Sequence, residues 1–254
     1  MADSLLLGYA ELMQEVGAWL GYGRDIVRLT RDQKIATDAM IQAGLRSFYW
    51  QPGIQWSFLQ PLITVVTADG VDNVPLPEDY AGIVGHITFV STTTTYSKIM
   101  HVSEGQVREQ LALHPGLEGI PTIACVRPLS MAPTSGQRFT LGLFPKPDAV
   151  YTLRLQINVA PGKLSDKNPF PYGGPVHSET IKAACLAAAE KEMGDTVGVM
   201  AAKYAECLSA SVASDARMHR GQYLGYNGDP SSFGDSENWW RRDPHDVTYQ
   251  GVQY

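Results

Sequence analysis

Apolar residues recur at steps of three and four near the start of the chain. Leu5, Tyr9, Leu12, Val16 and Trp19 share one face of a helix, which Gly21 and Gly23 end. Thr30 and Gln33 have the spacing of a capping box, in which each side chain satisfies the other residue's backbone amide. They predict a second helix over Arg31 to Tyr49, stopped before Gln51-Pro52-Gly53. From Leu62 the pattern shortens to β-branched and aromatic runs broken by Pro, Gly and Asp, with strands predicted over Leu62 to Thr67, Ile83 to Ser91 and Thr122 to Val126. Two further runs, Arg138 to Phe144 and Val150 to Val159, flank Pro145-Lys146-Pro147-Asp148-Ala149 and read as a hairpin with a five-residue loop. In the second run Tyr151, Leu153, Leu155, Ile157 and Val159 alternate with Thr152, Arg154, Gln156 and Asn158, so one face is buried. Glu104 to Leu111 suits a short helix between strands.

After a Pro- and Gly-rich stretch from Pro161 to Pro175, helical spacing returns from Ser178 through Ile181, Cys185, Met193, Met200, Tyr204, Leu208 and Val212. Gly194 and Gly198 interrupt it, which predicts two helices in near-continuation. The expected fold class is therefore α+β: a helical bundle of N-terminal and C-terminal helices, an inserted antiparallel β region and an extended C-terminal arm. The expected segments are 1–60 (N-terminal helices), 61–165 (β region), 166–217 (C-terminal helices packed on the first) and 218–254 (arm).

The arm changes the functional picture most. From Met218 onward it carries Tyr223, Tyr226, Phe233, Trp239, Trp240, Tyr249 and Tyr254 but few aliphatic residues, and Gly and Pro interrupt it repeatedly. Such a segment builds no core of its own, yet its rings gain from burial against a partner. Trp239-Trp240-Arg241-Arg242 is its densest cluster. Stacking on single-stranded nucleic acid, a membrane interface, packing on the body and anchoring to a protein all use these residue types. The arm's three Arg against five Asp or Glu favour the protein anchor.

Composition narrows the rest. The chain has 254 residues with 44% hydrophobic and 18% charged, a lightly charged surface that suits coverage by neighbours, and a net charge of -6 that argues against gripping phosphates. Cys125, Cys185 and Cys207 form no C-x-x-C pair and read as reduced thiols. His86, His101, His114, His177, His219 and His245 include no i, i+4 pair. Asp235, Glu237, Asp243 and Asp246 lack EF-hand spacing, and the Glu190-Lys191-Glu192 run reads as a solvated helix face. No nucleophile elbow, phosphate loop or zinc motif is present. Catalytic residues, metal ligands and cofactors are therefore expected to be none, and no stretch has the length of a membrane span. The N-terminus lacks a secretory pattern, so synthesis and folding in a reducing cytoplasm are expected.

Several composite stretches resemble the head-to-tail adaptor (connector or neck) proteins of tailed bacteriophages. They are Asp32-Gln33, Ala43-Gly44-Leu45-Arg46-Ser47-Phe48-Tyr49-Trp50-Gln51-Pro52, Trp56-Ser57-Phe58-Leu59, Leu76-Pro77-Glu78-Asp79-Tyr80, Leu153 to Pro161 and Ala187 to Ser211. The resemblance implies a structural virion protein of the neck, a homo-oligomeric ring of about twelve copies beneath the portal. Its partners would be the portal protein, reached by the arm, and a tail or nozzle protein. Double-stranded DNA would pass through the lumen unread, and no membrane is involved. On this view Tyr223, Tyr226, Phe233, Trp239, Trp240, Arg241, Arg242, Tyr249 and Tyr254 bind the portal. The alternatives are another tail or tube subunit, and a hydrolytic or carbohydrate-active tail protein.

Overall fold

The computed structural model describes residues 5–90, 96–129, 136–194, 198–218, 248–249 and 252–253. The chain divides into two units, Met1–Met218 and His219–Tyr254.

Helix α1 spans Tyr9–Trp19 and buries Leu12, Met13 and Val16. It begins later than the apolar pattern suggests, and Leu5 is 89% exposed. Gly8 is the reason: it caps the helix in an extended conformation, its N–H donates to Glu11 Oε2 at 2.7 Å, and Tyr9 N–H is taken by Pro169 O. Helix α2 spans Arg31–Tyr49 with the predicted capping box, Gln33 N–H donating to Thr30 Oγ1 at 3.3 Å and Thr30 N–H to Gln33 Oε1 at 2.9 Å. A single 3-10 turn, Ser57–Leu59, leads into the β region.

There the strands are β1 (Leu62–Val66), β2 (Asn73–Pro75), β3 (Tyr80–Phe89) and β4 (Met100–His101). Helix α3 (Glu104–Leu113) follows, capped by Ser103 and Gln106, and then β5 (Glu118–Gly119), β6 (Ile123–Pro128), β7 (Phe139–Phe144), β8 (Lys146–Pro147) and β9 (Thr152–Val159). One sheet has the order β1-β9-β3 and another β2-β7-β6-β4, while β5 and β8 make a separate pair. Side chains from both larger sheets, among them Val65, Val74, Ile87, Leu141, Leu143, Leu153, Leu155 and Ile157, meet in one core. The alternation of β9 is as expected, with Leu153, Leu155, Ile157 and Val159 buried.

Two expectations for the β region need correction. β7 and β9 do not form a hairpin: β7 pairs with β2 and β6, β9 with β1 and β3. Pro145 and Pro147 have no N–H to give a ladder, and the segment between the strands pairs through Lys146–Pro147 with β5 before entering the other sheet. Nor is the β region purely antiparallel, because β4 pairs with β6 and β5 with β8 in parallel. A parallel pair needs a crossover, and α3 supplies it between β4 and β6. Val107 of α3 packs there against Cys125 and Phe144.

Helices α4 (Ser178–Gly194) and α5 (Val199–Met218) complete this unit. They pack antiparallel, side by side, rather than in the near-continuation the sequence suggests: the Thr180 hydroxyl lies 3.2 Å from Cys207 O and 2.6 Å from Ser211 Oγ, and Lys203 pairs with Glu179. Leu12, Val16, Ile41, Leu45, Phe48, Trp56, Ile181, Cys185 and Ala189 belong to one core, with Tyr204, Leu208 and Val212 packed on it. The α2–α4 crossing is close: a Cβ on Gly44 would lie 2.5 Å from Cys185 Cα.

In the second unit β10 (Thr248–Tyr249) and β11 (Val252–Gln253) pair antiparallel, with Thr248 opposite Gln253 and Tyr249 opposite Val252.

Candidate assembly interface

The reactive side chains of the body hold it together. Cys125, Cys185 and Cys207 are free, and burial pushes the Cys185 thiol up to about 12 while its Sγ points to Ile41 O. Among the described residues no three His, Cys, Asp or Glu side chains converge as metal ligands. His86, His101 and His114 are exposed, whereas His177 is buried among Phe48, Trp56 and Phe58, with ring centroids 5.0 Å from Phe58 and 5.5 Å from Trp56. Burial holds His177 below the usual imidazole range, and the charge of Asp215 pulls the other way.

Asp215, on the last turns of α5, is itself only 6% exposed. It accepts the Ser57 N–H at 3.1 Å on Oδ2 and a short bond from the Ser57 hydroxyl on Oδ1. A buried carboxylate needs such partners. The carboxylate ties the entrance to the β region (Ser57) to the end of α5 (Asp215), and its charge reaches His177, which immediately precedes α4. Neither His177 nor Asp215 was singled out as a functional group from sequence. His177 stands just before the predicted helical pattern and Asp215 just after its last periodic residue, and neither position signals that the two groups come near each other.

Glu190 also differs from its expected role. Its Oε2 accepts the N–H groups of Met200 at 3.0 Å and Ala201 at 3.1 Å, so the α4 carboxylate caps the N-terminus of α5. Glu192 remains exposed, as a solvated face requires.

The candidate interface is therefore sought on the surface. A shallow cleft of about 450 Å³ is lined by Leu20, Tyr22, Ile35, Met40 and Met193, with Asp32 and Glu192 at its side. Ile35 and Met193 are 59% and 62% exposed. On the β region Leu62, Val66, Val90 and Val150 are exposed, and Phe89, Tyr96 and Tyr151 form a ring cluster with centroids 4.9 to 5.8 Å apart. The register sets Val66 opposite Thr152 and Phe89 opposite Leu153, at the end of the sheet where β9 begins, whereas Leu62 lies opposite Gln156 further along it.

Of the expected arm residues, Tyr223, Tyr226, Phe233, Trp239, Trp240, Arg241, Arg242 and Tyr254 lie outside the described residues. So do His219, His245, Asp235, Glu237, Asp243 and Asp246. Tyr249 lies in β10.

An α+β subunit whose buried polar groups brace its own elements, and whose apolar patches face outward, has the build of a structural assembly protein. Residues 8–225 match the SU10 adaptor protein family. The chain belongs to this family of phage head-to-tail adaptors and is a structural phage adaptor protein. The match covers the body and the first residues of the arm, and residues 226–254 lie beyond it. No curated protein matches the chain.

Proposed function

We propose that the chain joins capsid to tail as a ring below the portal, resident in the virion neck, with its C-terminal arm docked on the portal protein. Family membership across residues 8–225 is the observation that carries this reading. The arm's part rests on the chain's own composition, because residues 226–254 are outside the match. Trp239, Trp240, Arg241 and Arg242 are the anchoring group, since Trp and Arg most often dominate interface energies. The aromatic residues Tyr223, Tyr226, Phe233, Tyr249 and Tyr254 add contact area along the arm. A tail or nozzle protein engages the opposite side of the ring. The net charge of -6 per copy suits a lumen through which double-stranded DNA slides without being held.

Truncation after Arg217 tests the arm. The truncated body is expected to keep its circular dichroism spectrum and melting profile and to lose portal binding in a pull-down. Undiminished binding by the folded, truncated body would contradict the proposal.

A further inference from the structure

Strand β1 has an edge that no described residue pairs, and it is built differently from the other strand edges described in the β region. Pro61 O accepts the Ile157 N–H at 3.1 Å and Thr67 N–H donates to Tyr151 O at 2.9 Å. Paired and unpaired positions alternate along an antiparallel ladder. With Ile63 opposite Leu155 and Val65 opposite Leu153, these odd-numbered positions bond to β9. The N–H and C=O groups of Leu62, Thr64 and Val66 therefore point away from the sheet. Among the described residues no strand pairs with that edge. The side chains at the same three positions are exposed, Leu62 at 62% and Val66 at 58%.

Natural sheets blunt free edges with bulges, prolines, charges or very short strands. The other edges here follow that practice. β3 is interrupted by two register shifts, carries Gly85 at φ +71, and gives its Ile87 O to Ile99 N–H. β2 has three residues and ends in Pro75, and β4 has two. β1 alone is a regular five-residue strand, Leu-Ile-Thr-Val-Val, without charge, Gly or Pro.

We infer that the free edge of β1 receives an extended segment of another virion protein, which adds a fourth strand to the β1-β9-β3 sheet. Main-chain bonds to Leu62, Thr64 and Val66 supply the affinity, and the exposed Leu62 and Val66 side chains select uncharged, β-branched or apolar residues on the incoming strand. A second copy of this chain fits the edge less well. Five residues span only about 17 Å. One strand laid there buries a few hundred Å² at most, short of the roughly 1,200–2,000 Å² of a stable protein pair, so the edge serves as one contact of a partner that further contacts in the neck also hold, not as the sole interface of a dimer. Pairing β1 with β1 closes a two-fold dimer, whereas a ring joins unlike edges, and the unlike edges here are guarded.

This inference rests on the adaptor reading, and amide hydrogen exchange separates the two. In the isolated chain the amides of Leu62, Thr64 and Val66 are expected to exchange at least about tenfold faster than those of Ile63, Val65 and Thr67. In necks purified from phage particles, the first three are expected to slow by about a hundredfold or more. Thr64→Pro removes one outward donor and leaves the β9 ladder untouched, as prolines on edge strands do. This variant is expected to fold normally, judged by its melting curve, and to enter particles at least about tenfold less well. Val66→Lys places a charge beside the same edge without changing the backbone and is expected to act in the same direction.

A chain present in necks whose Leu62, Thr64 and Val66 amides still exchange fast would overturn the strand addition and leave the adaptor reading standing. So would normal incorporation of folded Thr64→Pro and Val66→Lys. A doubled mass with protected edge amides in the isolated chain would make a second copy the occupant and overturn the inference. Absence of the chain from the particles would overturn the adaptor reading and this inference together.

Discussion

Gly44 shows how a single hydrogen can decide a packing geometry. It sits where α2 crosses α4, and a methyl group there would meet the Cys185 backbone at 2.5 to 2.6 Å rather than a movable side chain. Gly44→Ala is expected to cost about 1–3 kcal/mol despite its better helix propensity, because two backbones must separate to admit the methyl. Urea denaturation measures the difference. The buried His177 gives a second expectation at this scale. Its depressed pKa means that the unfolded chain binds a proton more readily, so its contribution to stability is present above the ordinary value of 6.5 and is lost as pH falls below it. The slope of melting temperature against pH, measured just below 6.5, is expected to flatten in His177→Phe. A variant with an unchanged slope would mean that His177 does not control that transition. Neither position was marked as a packing or titrating site by the sequence. Gly44 stood inside a helical run, and the environment of His177 comes from chain segments far away in sequence.

Elements with local causes were the legible ones. The Thr30–Gln33 box announces α2 because its two hydrogen bonds join residues three apart, and the alternation in β9 shows which face is buried because pleating repeats every two residues. Partner choice has no such local signal. The β7 and β9 runs look like a hairpin by spacing, yet the chain between them crosses from one sheet to the other, and periodicity is silent on that. The edge of β1 left unpaired among the described residues is of the same kind, since Leu62 to Thr67 reads as a strand whether it has one neighbour or two. Glu190 acts across a turn, ten residues from the amide of Met200. Glu190→Ala is expected to lower stability by about 1 kcal/mol through loss of the α5 cap, with Glu190→Gln falling between. Exchange rates of the Met200 and Ala201 amides report the cap directly, and rates unchanged in Glu190→Ala would contradict its role.

For the whole molecule, the α+β class and the resemblance to head-to-tail adaptors are legible in the sequence, because composite motifs such as Trp56-Ser57-Phe58-Leu59 survive as linear text, and the family match over residues 8–225 bears the resemblance out. The structure then accounts for that motif: Trp56 is buried in the helical core and Ser57 holds Asp215. Aromatic residues and chain-breakers distinguish the arm from the body in composition alone, and its expected docking residues lie largely outside the described structure. In the proposed function the chain is a neck subunit that binds the portal. Native mass spectrometry of the full-length protein mixed with its portal tests it most directly. A discrete complex in which about twelve copies accompany one portal ring is expected, lost when the chain is cut after Arg217. Free portal beside free chain at every ratio tried would contradict it.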